Sequence, residues 1–143
     1  MATINASVSI SSDIMSYPTS INKTMTMKKA GSCHGLEETT GLGYKKYTAT
    51  TQVTLLDVSA ETAAVNKASK VYIRNTGSRK ANYFYVALNN SAAAQTTTET
   101  IGKLYGGDWM LIPWVATAAT THDIVVAPST AETMNIEWMV FVE

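Results

Sequence analysis

The sequence predicts an all-β chain: a single antiparallel β-sandwich, jelly-roll-like, or a partly closed barrel of about eight strands. Three observations predict it. Apolar and polar residues alternate with a period of two along most of the chain. The alternating runs are short and bounded by Gly, Asn, Ser and Asp, at spacings typical of sandwiches and barrels. Threonine, which suits a pleated, half-buried surface, supplies roughly one residue in seven. Helical and strand patterns do not alternate, which argues against a doubly wound fold, and no solenoid or propeller repeat is visible. A length of 143 residues matches one domain with its own core. The expected organisation is therefore one domain over 1–143, with 1–20 as an N-terminal strand and arm.

The elements follow in order. Ile4, Ala6, Val8 and Ile10 share one face of a strand, with Asn5, Ser7 and Ser9 on the other. Ser11-Ser12-Asp13 ends that run, and Tyr17-Pro18 marks an extended or turning connection. Alternation resumes from Ile21 to Lys28. The Gly-rich stretch Ala30–Gly43 predicts a long loop, of a length that is usually functional or disordered. Tyr44–Asp57 reads as strand, which Leu55, Leu56 and Val58 could close or turn into a bend, and Ser59–Lys67 reads as a single helical turn or a loop. Lys70–Asn75 and Asn82–Leu88, joined by Asn75-Thr76-Gly77-Ser78, predict a hairpin. Ser91–Thr98 reads as a polar connection. Leu104-Tyr105-Gly106-Gly107-Asp108 turns into Trp109–Val115, where Pro113 indicates an edge strand or a strand end. Ile124–Val126 and Met134–Val142 complete the set. The last strand is apolar on both faces, so it is expected to be central or covered on both sides.

Composition narrows the functional classes. Charged residues make up 15% of the chain and the formal net charge is zero. A basic footprint able to neutralise several phosphates is missing, which argues against nucleic-acid binding; Lys28, Lys29, Lys45, Lys46, Arg74, Arg79 and Lys80 read as solvated turn and strand-end charges. Near-zero net charge does little to oppose self-association and suits a subunit. Cys33 is the single cysteine, so an intramolecular disulfide scaffold is excluded. No apolar run reaches the length of a membrane helix, and the N-terminus lacks a signal-peptide pattern. Synthesis in a cytosol without a cleaved signal is the expectation, with no membrane partner.

Groups able to carry chemistry are scattered. His34 and His122 have no local partner at metal-ligand spacing. Cys33-His34 point opposite ways on an extended chain, and a nucleophile pair would need a distant residue. Glu37-Glu38 with Asp13, Asp57, Asp108 or Asp123 could in principle form an acid–base pair, but each lies in or beside a turn. Gly41-Leu42-Gly43 and Gly106-Gly107 lack the following helix that a phosphate loop needs. The expectation is no enzyme, no cofactor and no metal. The aromatics Trp109, Trp114 and Trp138, with Tyr83, Tyr85 and Tyr105, are open to three readings: core, protein interface, or a carbohydrate-stacking face.

The opening Ala2-Thr3-Ile4-Asn5-Ala6-Ser7-Val8, the loop from Lys29-Ala30-Gly31 to Thr39-Thr40-Gly41-Leu42, and the C-terminal half resemble small virion proteins of tailed bacteriophages. In that half, Val71-Tyr72-Ile73-Arg74-Asn75 is followed by a strand, Leu104-Tyr105-Gly106-Gly107-Asp108, Ile112-Pro113 and a closing strand. The pattern is most similar to capsid decoration, or cement, proteins. The resemblance implies a virion location and binding to a major capsid protein lattice and neighbouring copies of the chain, as a homo-oligomer in the assembly. The alternatives are a tail, neck or fibre-associated subunit, or, in another class, a carbohydrate-binding β-sandwich module. No site residues come with the resemblance. From the strand, arm, loop and aromatic patterns themselves, the residues expected at an interface are Thr3, Ile4, Val8, Ile10, Tyr17, Pro18, Leu36, Leu42, Tyr83 and Tyr85.

Overall fold

The computed structural model describes residues 3–12, 19–28, 38–60, 68–88, 100–115 and 122–142. The chain divides into two compact units, Met1–Glu37 and Glu38–Glu143. The first is a two-stranded antiparallel hairpin of β1 (Thr3–Ser12) and β2 (Thr19–Lys28), paired over ten positions from Thr3↔Lys28 to Ser12↔Thr19. Both predicted N-terminal strands therefore belong to one unit, which extends past residue 20. The period of two places Ile4, Ala6, Val8 and Ile10 on the same face as their partners Met27, Met25, Lys23 and Ile21.

The second unit is a β-sandwich, with no sheet closed into a barrel. It contains β3 (Glu38–Thr39), β4 (Gly43–Tyr47), β5 (Val53–Leu56), β6 (Ala68–Asn75), β7 (Tyr83–Leu88), β8 (Thr100–Tyr105), β9 (Trp109–Val115), β10 (Ile124–Pro128) and β11 (Met134–Val142). One sheet runs β5-β10-β7-β8. The other runs β4-β11-β6-β9, with the two-residue β3 also on β11. Four antiparallel pairs nest inside one another: β7 with β8, β6 with β9, β5 with β10 and β4 with β11. The added pairs β10–β7 and β11–β6 roll this long double hairpin into two sheets. That wiring is a jelly roll.

The nesting corrects two sequence expectations. Tyr44–Asp57 is not one strand: β4 and β5 lie in different sheets, and Thr48–Thr51, all exposed, carry the chain across. β6 and β7 do not pair as a hairpin either. Each is an interior strand of a different sheet, and Thr76–Asn82 crosses between them. A further strand, β8, sits where only the turn after it was anticipated, because Gly102 and Lys103 blur its alternation. Pro113 lies on the edge strand β9, as its missing N–H requires, and β11 is interior as its two apolar faces suggested. The predicted loop up to 37, the turn over 61–67 and the connection over 91–98 lie outside the described residues.

The core forms between the sheets from alternate residues: Val71 and Ile73 on β6, Phe84 and Val86 on β7, Ile124 and Val126 on β10, Ile136, Val140 and Val142 on β11. Each such side chain contributes about 1.5–3 kcal/mol by leaving water. Trp138 packs against this core and lies over Gly43, where any Cβ would overlap the indole at 2.5 Å.

Two polar residues are as buried as the core, Ser69 at 3% exposure and Asn75. Asn75, at 1% exposure, ends β6 and joins the two sheets. Its Nδ2 donates to the Leu104 carbonyl of β8 at 3.0 Å, and its Oδ1 accepts from the Gly77 N–H at 3.0 Å. Its backbone N–H donates to the Asp108 carbonyl and its carbonyl accepts from the Gly107 N–H. Gly106 completes the junction, since a Cβ there would lie 2.7 Å from the Arg79 carbonyl oxygen and 2.8 Å from that of Gly77. Asn75→Ala leaves a carbonyl and an N–H without partners, so urea unfolding is expected to show a loss of about 2–4 kcal/mol. A loss well under 1 kcal/mol would mean that water replaces the carboxamide.

Tyr47 is buried edge-on against Phe84, with ring centroids 5.6 Å apart, and its hydroxyl has no hydrogen-bond partner among the described residues. Burial pushes its pKa up to about 12. An unfolded tyrosine ionises near about pH 10, so between these values the unfolded state sheds a proton that the folded state keeps. Stability present below about pH 10 is thus lost as pH rises toward 12. Tyr47→Phe is expected to weaken this alkaline loss and to cost little at neutral pH, since no hydrogen bond is broken. Urea midpoints for both proteins at neutral pH and across the alkaline range check this.

Candidate interaction faces

The jelly roll presents the outer faces of its two sheets, and each carries an aromatic cluster. On the β11 sheet, the register aligns Tyr44, Glu137, Arg74 and Trp109 in a row across β4, β11, β6 and β9. The next row is Met139, Tyr72 and Leu111, and the one after is Phe141, Lys70 and Pro113. Glu137 anchors the centre: Oε1 accepts from the Tyr72 hydroxyl at 2.8 Å and lies 3.4 Å from Arg74 Nη1. Burial, and then the hydrogen bond to Glu137, raise the Tyr72 pKa and keep its proton in place. The Tyr72 and Trp109 rings lie 6.5 Å apart, tilted by 37°. Around this fixed centre Trp109 is 48% exposed, and Tyr44 and Val115 are also exposed. The face combines aromatics, Met and one Arg, a composition enriched at protein interfaces.

On the β10 sheet, Tyr83 and Tyr85 of β7 share a face with Lys103 and Tyr105 of β8. The Tyr83 and Tyr85 hydroxyls are 3.2 Å apart, and the Tyr83 ring stands 5.0 Å from Tyr85 and 5.1 Å from Tyr105. Lys103 Nζ sits 4.6 Å above the Tyr83 ring and 5.2 Å from that of Tyr85. Their shared hydrogen bond raises the Tyr83 pKa and lowers that of Tyr85, while the phenols hold the Lys103 ammonium protonated. The ammonium is already engaged by aromatic faces, an arrangement that satisfies itself. The same side of β10 carries Val125 and Ala127, both buried.

The expected interface residues are thus divided. Thr3, Ile4, Val8 and Ile10 lie on β1, Leu42 is exposed just before β4, and Tyr83 and Tyr85 adjoin on the β10 sheet. Tyr17, Pro18 and Leu36 lie outside the described residues. The β11-sheet row went unread as a site, although the apolar character of both faces of β11 was its visible signal. The three tryptophans separate: Trp114 is 3% exposed and donates its Nε1–H to the His122 carbonyl at 2.7 Å, Trp138 is partly buried, and Trp109 faces outward.

The turn acids have structural partners. Asp57 accepts from the Ser59 N–H and hydroxyl, which lower its pKa; Asp123 accepts from the Val58 N–H, and Asp108 from the Tyr105 N–H. Asp13, Cys33, His34 and Glu37 lie outside the described residues. Among the described residues no cluster of His, Cys, Asp and Glu could hold a metal ion. A polar cleft of about 250 Å³ is lined by Asn75–Arg79, Asn82 and Thr133–Asn135. Arg79 at its rim pairs with Glu132, which also accepts from Asn82 and whose pKa these bonds lower. Among the described residues that line it there is no His, Cys, Asp or Glu.

No protein-family model matches the chain, and neither a curated protein nor a solved structure matches it. The division of the tryptophans is testable by urea unfolding. Trp114→Ala is expected to cost about 3–5 kcal/mol as a large core truncation, whereas Trp109→Ala should cost about 1 kcal/mol or less. Equal losses would mean that Trp109 is a structural residue.

Proposed function

We propose that this chain is a structural subunit of a virion that binds an assembled capsid lattice as a cement or decoration protein. The observation that carries the reading is the exposed aromatic face of the β11 sheet, ordered at its centre by the Tyr72–Glu137–Arg74 contacts. Ordered aromatic side chains lose little entropy on binding and typically dominate interface energies. The jelly roll adds only an analogy, since viral capsid proteins and lectins both use it and fold alone does not assign function. The sequence resemblance to phage virion proteins points the same way. A tail, neck or fibre-associated subunit is the nearest alternative. A carbohydrate module would have to rely on Trp109 and Tyr72 without Trp114, whose indole is in the core.

Cosedimentation with an assembled tailed-phage capsid lattice tests the reading. Wild type is expected to pellet with assembled lattice and not with free capsid subunits. Trp109→Ala and Tyr44→Ala together should weaken binding at least about thirtyfold, the loss of one interface hot spot. Unchanged binding by the double variant would move the interface off this face. Growth into rings or tubes without lattice would overturn the cement assignment in favour of a tail subunit.

A further inference from the structure

The N-terminal hairpin holds two features that its own pairing leaves unused. Val8, Ile10 and Ile21 remain 39%, 52% and 45% exposed on its apolar face. On its opposite face Ser7, Ser9, Ser11, Asn22 and Thr24 are exposed as well, so the half of the hairpin toward Ser11 and Ser20 is open on both sides. A two-stranded ribbon in that state is marginal in water, and a further strand is the usual remedy. Among the described residues β1 pairs with β2 alone, which leaves its other edge available from Ile4 to Ile10.

The two edges differ in character. β2 carries Lys23, the kind of charge that blunts strand-to-strand pairing, whereas β1 (TINASVSISS) contains no charged residue and no proline. We propose that β1 is a pairing edge for a second copy of this chain, with two β1 strands meeting antiparallel about a two-fold axis at Ser7. In that register the two residue numbers of each pair add to 14. Ile4 then faces Ile10 of the second copy and Ala6 faces Val8, so every apolar position meets an apolar one. The odd positions Asn5, Ser7 and Ser9 meet Ser9, Ser7 and Asn5 on the polar face. Each pair also joins positions of like parity, so outward-pointing N–H and C=O groups meet their counterparts. The product is a four-stranded sheet with one face apolar across the two central β1 strands, and with the β2 strands, each placing Lys23 on that face, at its rims. A β2–β2 contact through Lys23 would instead bring like charges together.

Self-association of the full-length protein reads this contact without any capsid protein, so its outcome is separate from that of lattice binding. Sedimentation velocity across a concentration series, at low and moderate salt, is expected to show a reversible dimer. Ser7→Lys places two ammonium groups opposite each other at the two-fold axis and should weaken the dimer roughly fivefold at low salt. Thr24→Lys puts the same charge on the neighbouring strand, opposite Ser7 within the hairpin, and should leave dimerisation within twofold of wild type. It also controls for damage to the hairpin, since the Ser7–Thr24 hydroxyl contact of 3.0 Å is lost in both variants. A wild-type monomer at all concentrations would overturn the proposal. Equal weakening by the two variants would do so too, because it would place the contact on the hairpin face and not on the β1 edge.

Discussion

One buried carboxamide couples the two sheets of the sandwich. Asn75 ends β6 in one sheet and donates to the β8 backbone of the other, while its main chain holds the turn between β8 and β9. A buried polar group is costly unless satisfied, and here the amide donor, the amide oxygen and both backbone groups have partners. The contact therefore favours one arrangement of the crossing Thr76–Asn82 over its competitors. Gly106 follows from it, because the backbone of the turn must pass within van der Waals distance of the Gly77 and Arg79 carbonyls. The β11-sheet row in turn depends on the junction, since Arg74 and Trp109 are the residues next to Asn75 and Asp108.

Period-two patterning made the class of fold and nearly every strand legible, along with the edge position of β9 and the interior position of β11. What it could not supply was partnership. A local reading joins neighbouring runs, and so it paired Lys70–Asn75 with Asn82–Leu88 across turn residues that looked suitable for a hairpin. In the jelly roll those runs are interior strands of opposite sheets, and β6 instead pairs with β9, over 25 residues further along the chain. Asn75 could be read as turn chemistry from sequence. Its burial against Leu104 depends on a segment whose own strand, β8, has weak alternation. The run from Tyr44 to Asp57 failed in the same way, because Thr48–Thr51 continue the alternating pattern while changing sheets.

The candidate faces were legible in part for a related reason. Tyr83 and Tyr85 stand out because they alternate with Phe84 and Val86, so their outward position follows from one strand. The Tyr44–Glu137–Arg74–Trp109 row is assembled from four strands, and nothing along the chain brings those residues near one another. Trp109 and Trp114 are five positions apart on β9 and therefore point to opposite faces, so one fills the core and the other meets solvent. Alternation alone could place the two apart. It could not say which was which until β9 had a sheet and a core side.

The two sheet faces also differ in what they leave for a partner. On the β10 sheet, Lys103 lies over two phenol rings and the Tyr83 and Tyr85 hydroxyls satisfy one another, so a partner would displace existing contacts to use these groups. On the β11 sheet, the polar groups at the centre are satisfied internally while the indole of Trp109 and the ring of Tyr44 stay open at the periphery. Binding there can bury aromatic area without breaking the Tyr72–Glu137–Arg74 contacts that order it. The proposed lattice contact is placed on the β11 sheet for that reason, since exposed aromatic area can be buried there while the ordered centre stays intact.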